Sequence, residues 1–166
     1  MEAGRESEGT PVHNQTAAER RSERELVVTR TINGPARLVF DAWTKAELFE
    51  RWWVPKSAPI KLLSCEMDVR VGGKYRLVFG YEGQTMEFFG QYLEVTPPSR
   101  LVWTSDEGDA GTVTTATFEE RAGKTLVVVH DLYPSKEALD DAIASGSTAG
   151  MPEQLRQLDE LIVTLA

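Results

Sequence analysis

From Ile60 to Asp131 the chain repeats one pattern, in which a run of β-branched and aromatic residues ends in a turn signal and another run follows. Runs this closely spaced leave no room for crossover helices, so successive runs must pair antiparallel as a meander. Gly72-Gly73 predicts a hairpin between Leu62 to Arg70 and Lys74 to Tyr81, since glycine takes positive φ freely. Glu82-Gly83-Gln84 then turns into Met86 to Val95, and Pro97-Pro98 into Leu101 to Ser105. Asp106 to Gly111 leads to Thr112 to Glu120, and Ala122-Gly123 to Lys124 to Asp131. Six strands result, and a sheet of that size needs something to cover its apolar face.

The flanking segments supply the cover. Glu25 to Ile32 alternates and is β-branched, which predicts a seventh strand and the most exposed edge. After Asn33-Gly34-Pro35 the apolar period changes, with Val39, Phe40, Ala42 and Trp43 at helical spacing. Thr44-Lys45-Ala46-Glu47 has the form of a capping box that starts a second short helix, ended by Pro55 and Pro59. Ser135 caps a helix to about Ala144, and Gly146 interrupts it. The last segment places Met151, Leu155, Leu158, Ile162 and Leu165 on one stripe, with Glu153, Arg156, Gln157 and Glu160 away from it. Such an amphipathic helix must pack on the sheet. The class is α+β.

Residues 1–24 are rich in Glu, Arg, Ser, Gly and Thr, too poor in apolar side chains to repay ordering, and are expected to form a disordered tail. His13 and the chance acceptor pattern Asn14-Gln15-Thr16 fall within it. Residues 25–166 form the folded domain. A formal net charge of -8 argues against nucleic acid or an anionic membrane as partner, because both repel such a surface. No apolar leader or spanning segment is visible, so no membrane insertion is expected, and the single cysteine, Cys65, suits a reducing cytoplasm.

The element order resembles the START-like (SRPBCC, helix-grip) superfamily, which includes the birch pollen allergen. Particular segments narrow the resemblance: Val39-Phe40-Asp41-Ala42-Trp43-Thr44, Arg51-Trp52-Trp53, Glu66 to Gly73, Pro97 to Thr104 and Thr117-Phe118-Glu119-Glu120. They are similar to segments of the bacterial proteins named after the activator of heat-shock protein 90 ATPase, over about residues 25–166. The resemblance implies a helix-grip fold, a curved antiparallel sheet of about seven strands wrapped around the long C-terminal helix, with two short helices between the first two strands. It also implies an apolar cavity inside. One departure stands out: relatives carry a Gly-Trp pair early in the last helix, where this chain has Gly150-Met151, followed by Pro152. Pro152 is tolerated only in the first turn, and Met in place of Trp reshapes that end of a cavity.

The candidate cavity and ligand-binding residues are Trp52, Trp53, Tyr75, Leu77, Phe79, Phe88, Tyr92, Trp103, Phe118, Val128, His130, Met151, Leu155 and Leu158. Trp43 is expected mainly as a core anchor. Trp52 and Trp53 point about 100° apart on a helix, so at most one faces inward. Glu66, Asp68 and Arg70 share one face of their strand, and cross-strand ion pairs to Lys74 or Arg76 account for them better than a ligand site. His130 shares a side with Leu126 and Val128, which would put an imidazole beside the cavity. No nucleophile accompanies it, Cys65 and His130 alone make no zinc set, and no phosphate or dinucleotide motif appears. No cofactor, metal or catalytic residue is assigned.

These features favour a non-enzymatic protein, monomer or homodimer, holding a small hydrophobic molecule. Two other readings stay open. One is an interaction module acting on a chaperone ATPase, like the family's namesake. The other is a cyclase or hydrolase using His130.

Overall fold

The computed structural model describes residues 16–106, 111–146 and 148–165. Eight strands form one antiparallel sheet in the order β1-β2-β8-β7-β6-β5-β4-β3. Their ranges are β1 Ala17–Arg20, β2 Glu25–Ile32, β3 Lys61–Met67, β4 Lys74–Tyr81, β5 Gln84–Thr96, β6 Arg100–Ser105, β7 Thr112–Arg121 and β8 Lys124–Leu132. Between β2 and β3 lie α1, Ala36–Thr44, and α2, Ala46–Phe49. Helices α3, Lys136–Ala144, and α4, Met151–Leu165, follow the sheet. The meander is as the turn signals predict, and Glu82-Gly83 and Ala122-Gly123 take the two positive-φ positions of tight hairpins.

The curved sheet and the helices share one core. Val28, Ile32, Ala116, Phe118, Val127 and Val129 from the sheet are buried against Leu155, Leu158 and Ile162 of α4 and Val39, Phe40 and Trp43 of α1. Fully burying each aliphatic side chain contributes roughly 1.5–3 kcal/mol, so this helix-to-sheet seam dominates the stability.

Polar groups fix how α4 sits. Gln157 Nε2 donates to the carbonyls of Trp52 and Val54, at 3.0 and 2.8 Å, and its Oε1 accepts from Lys56 N. Gln154 Nε2 donates to Trp53 O. One turn at a time, the helix caps the backbone that leaves the helix pair and has no ladder of its own. Gln157 therefore faces the protein, 4% exposed, and not solvent as the apolar stripe suggests. Pro152 lies in the first turn of α4, where its missing N–H costs nothing.

Several sequence expectations change. Ala17–Arg20, inside the segment read as a tail, is a strand paired with Leu26–Thr29, while residues 1–15, including His13 and Asn14, lie outside the described residues. β2 consequently sits between β1 and β8 and is no edge; β1 and β3 are the edges. The capping box does not form. Thr44 is still the last residue of α1 and its hydroxyl donates to Phe40 O at 2.8 Å, leaving Lys45 as the uncapped start of α2. β3 ends at Met67, so residues 68–73 make a longer connection than a tight Gly72-Gly73 turn.

Candidate functional site: the internal cavity

The helix pair gives the cavity its aromatic wall. Trp43 on α1 is 1% exposed and lies 4.8 Å from Trp52, 6.0 Å from Trp53 and 5.6 Å from Trp103, centroid to centroid. Trp52 is buried in the core, its Nε1 donating to Ala42 O at 2.9 Å. Trp53 is stacked on Phe49 at 4.7 Å. Both tryptophans lie in the turn after α2 and not on the helix expected for them, and both pack against Trp43 and Phe49, although only Trp53 lines the cavity.

Beneath these rings, between the sheet, the helix pair and the α3–α4 end, is a cavity of about 540 Å³. Trp43, Phe49, Trp53 and Ile60 line it from the helix side. Tyr75, Leu77 and Phe79 of β4, Phe88 and Tyr92 of β5, and Leu101 and Trp103 of β6 line it from the sheet. Met151 and Gln154 close it at the start of α4. Of the candidate residues, Trp53, Tyr75, Leu77, Phe79, Phe88, Tyr92, Trp103 and Met151 are therefore on its wall. Trp52, Phe118, Leu155 and Leu158 are buried in the core beside it and do not line it.

His130 and Val128 occupy the opposite face of β8. There His130 Nε2 lies 2.7 Å from Glu25 Oε2, and that contact is the main reason the Glu25 carboxyl titrates below its ordinary range. The inward set of β8 is instead Thr125, Val127, Val129 and Asp131, which the register places opposite Glu120, Phe118, Ala116 and Thr114 of β7. A catalytic use of His130 at the cavity loses its geometry.

The residue that sequence reasoning missed is Asp131. Its carboxyl lines the cavity, and Thr114 Oγ1 donates to Oδ1 at 2.5 Å. Burial raises its pKa, opposed in part by the Thr114 bond and the neighbouring His130. Ser105, Thr112 and Tyr133 line the same end. Burial and then the Asp131 charge push the Tyr133 phenol up to about 12. From β4 and β5, Tyr75 and Tyr92 lie 5.8 Å apart, and Tyr75 Oη donates to Thr104 O at 2.6 Å. Burial, then Tyr75, raises the pKa of Tyr92.

The charged set on the meander behaves as a surface. Arg76 pairs with Glu87 and lies 3.9 Å from Glu66 across the strands, and Arg70 pairs with Asp68 at 2.9 Å. Burial, then Glu50, raises the Cys65 thiol to about 11, which makes it a poor nucleophile. Among the described residues no group of three or more His, Cys, Asp or Glu side chains is arranged to hold a metal ion, and no helix is long and apolar enough to cross a membrane.

Comparison with known proteins gives a consistent picture. Residues 33–162 match the family model described as "Activator of Hsp90 ATPase homolog 1-like protein". A crystal structure of a Nitrosomonas europaea protein is 26% identical, covers 86% of this chain and 96% of its own, and superposes with a TM-score of 0.79. A solution structure from Staphylococcus epidermidis is 28% identical over 89% of this chain and 94% of its own, with a TM-score of 0.72. A Rhodobacter sphaeroides structure shares the fold at 24% identity, TM-score 0.82, covering 92% of this chain and 100% of its own. No curated protein matches the sequence.

Proposed function

The chain belongs to the Activator of Hsp90 ATPase homolog 1-like protein family, and from that premise we propose that it binds a small apolar or amphipathic molecule inside the cavity. The observation that carries this reading is the wall itself. A space of about 540 Å³ is lined by aromatic and aliphatic side chains from five strands and four helices, with a smaller number of polar groups among them. Sites for small ligands have this size and this ratio of apolar surface to orienting polar groups.

The test is ligand-linked stabilisation. At a free concentration of 100 times Kd, a ligand that binds only the folded state adds about 2.7 kcal/mol and raises the unfolding midpoint by several degrees. Fatty acids and alcohols, flavonoids and polyketide-like compounds form the panel. At least one class should raise the midpoint in the wild type and fail to do so in Met151→Trp, which narrows the cavity at α4. If no class raises it, the reading is abandoned. The alternative, an interaction surface for a chaperone ATPase, rests on the family's description and is favoured by no particular residue among those described. Stimulation of a chaperone ATPase by the purified protein would establish it.

A further inference from the structure

The cavity is chemically graded. On one face of the sheet Trp103, Thr114, Asp131 and Leu26 follow one another across β6, β7, β8 and β2, each paired in register with the next. Ser105 and Thr112 form a register pair two residues further along the same face. Asp131, Thr114, Ser105, Thr112 and Tyr133 therefore make one polar corner, while the helix pair, β4 and β5 contribute mainly rings and aliphatic chains.

That corner has unused hydrogen-bonding capacity. Among the described residues Asp131 has Thr114 as its hydrogen-bond partner through Oδ1, which leaves Oδ2 without one, and the side-chain hydroxyls of Ser105, Thr112 and Tyr133 make no hydrogen bond. The described lining contains no Lys, Arg or His, so Asp131 is its one charged group. A carboxylate placed in an apolar cavity without a cation is costly, and that cost falls when a positive charge arrives beside it. The aromatic rings reinforce the preference, since their faces attract a cation and repel an anion.

Resting on the ligand-binding reading above, we propose that the cavity recognises a protonated primary or secondary amine carried on an apolar body. The ammonium pairs with Asp131 Oδ2 and spends its remaining N–H groups on the hydroxyls of Ser105 and Thr112, and the body lies among Trp53, Tyr75 and Phe79. A quaternary ammonium has no N–H for those hydroxyls, and a carboxylate ligand meets a like charge.

Three probes of equal size separate the possibilities: 2-(1-naphthyl)ethylamine, 2-(1-naphthyl)ethanol and 1-naphthylacetate, titrated into the full chain near neutral pH. The wild type should bind the amine at least tenfold more tightly than the alcohol, with the acetate weakest. Asp131→Asn should remove the amine's advantage over the alcohol. Equal binding of amine and alcohol in the wild type, or an amine preference that survives in Asp131→Asn, overturns the proposal while the cavity remains a binding site. Absence of binding by all three probes overturns it together with the ligand-binding reading. The comparison within the wild type needs no variant to fold.

Discussion

Arg30 on β2 and Asp159 on α4 form a buried ion pair, with Nη2 3.1 Å from Oδ2 and side-chain exposures of 11% and 9%. Asp159 Oδ1 also accepts from Asn33 N at 2.9 Å, so one carboxylate ties α4 to the second strand and to the backbone entering the helix pair. Thr16 Oγ1 accepts from Arg30 Nη1 at 3.1 Å, which extends the link toward β1. Removing one partner of such a pair leaves a buried charge alone. Asp159→Ala should therefore lower stability in denaturant unfolding by about 3–5 kcal/mol, more than Arg30→Met, which keeps most of the volume. Equal small losses for the two would show that the pair contributes little.

Asp131 makes a pH-dependent prediction. Its native pKa lies above the unfolded value near 3.8, so the native state holds the proton more tightly than the unfolded chain. The stability it contributes is present below the unfolded pKa and is lost as pH rises through the native pKa. Asp131→Asn cannot ionise, so its stability relative to wild type should increase as pH rises above the unfolded pKa and level off once the native pKa is passed. The carboxyls of Glu25, Asp140 and Glu153 are lowered and act in the opposite sense, but they are common to both proteins and cancel in the difference. A difference that stays flat with pH would mean that the carboxyl is as well solvated in the cavity as in the unfolded chain.

Gly34 sits where α4 crosses the entry to α1. A Cβ built on it would lie 2.2 Å from Ile162 Cγ2, and its carbonyl accepts from the buried Thr125 hydroxyl at 2.7 Å. Gly34→Ala should cost about 1–3 kcal/mol by overpacking. The same substitution in an Ile162→Ala background should cost much less, because the clashing methyl is gone, and a double-mutant cycle measures that coupling. An additive cycle would place the strain elsewhere.

Most of the fold is legible in the chain, and the exceptions share a physical cause. Alternation places β2 to the residue, and turn chemistry does the same for β4 and puts the other meander strands within a few residues of their observed ends, because Gly72, Gly83 and Gly123 sit at positive φ in the connections. The phase of β8 is different. Thr125, Val127 and Val129 are as apolar a set as Leu126 and Val128, so alternation alone does not choose between them. The rule that carboxylates avoid the interior then puts Asp131 outside and His130 inside, the reverse of what the structure holds. A rule of stability misleads here because the position is a cavity wall. Gln157 fails for a related reason: an amide reads as a solvent-facing residue, yet here it satisfies the carbonyls of Trp52 and Val54, which no local pattern announces. β1 is missed because Ala17–Arg20 has no β-branched or aromatic residue and pairs through its backbone with a strand already formed.

The four tryptophans offer the most direct test of the central claim, because their indole N–H signals report from known places. Trp53 and Trp103 are on the cavity wall, whereas Trp52 is buried outside it and bonded to Ala42 O. A nitrogen–proton correlation spectrum should be recorded while 2-(1-naphthyl)ethylamine is titrated to saturation. A ligand held inside should shift the indole signals of Trp53 and Trp103 with one common Kd, while Trp52 moves far less. Saturating binding that leaves Trp53 and Trp103 unmoved, or no saturable shift at all, would contradict the account.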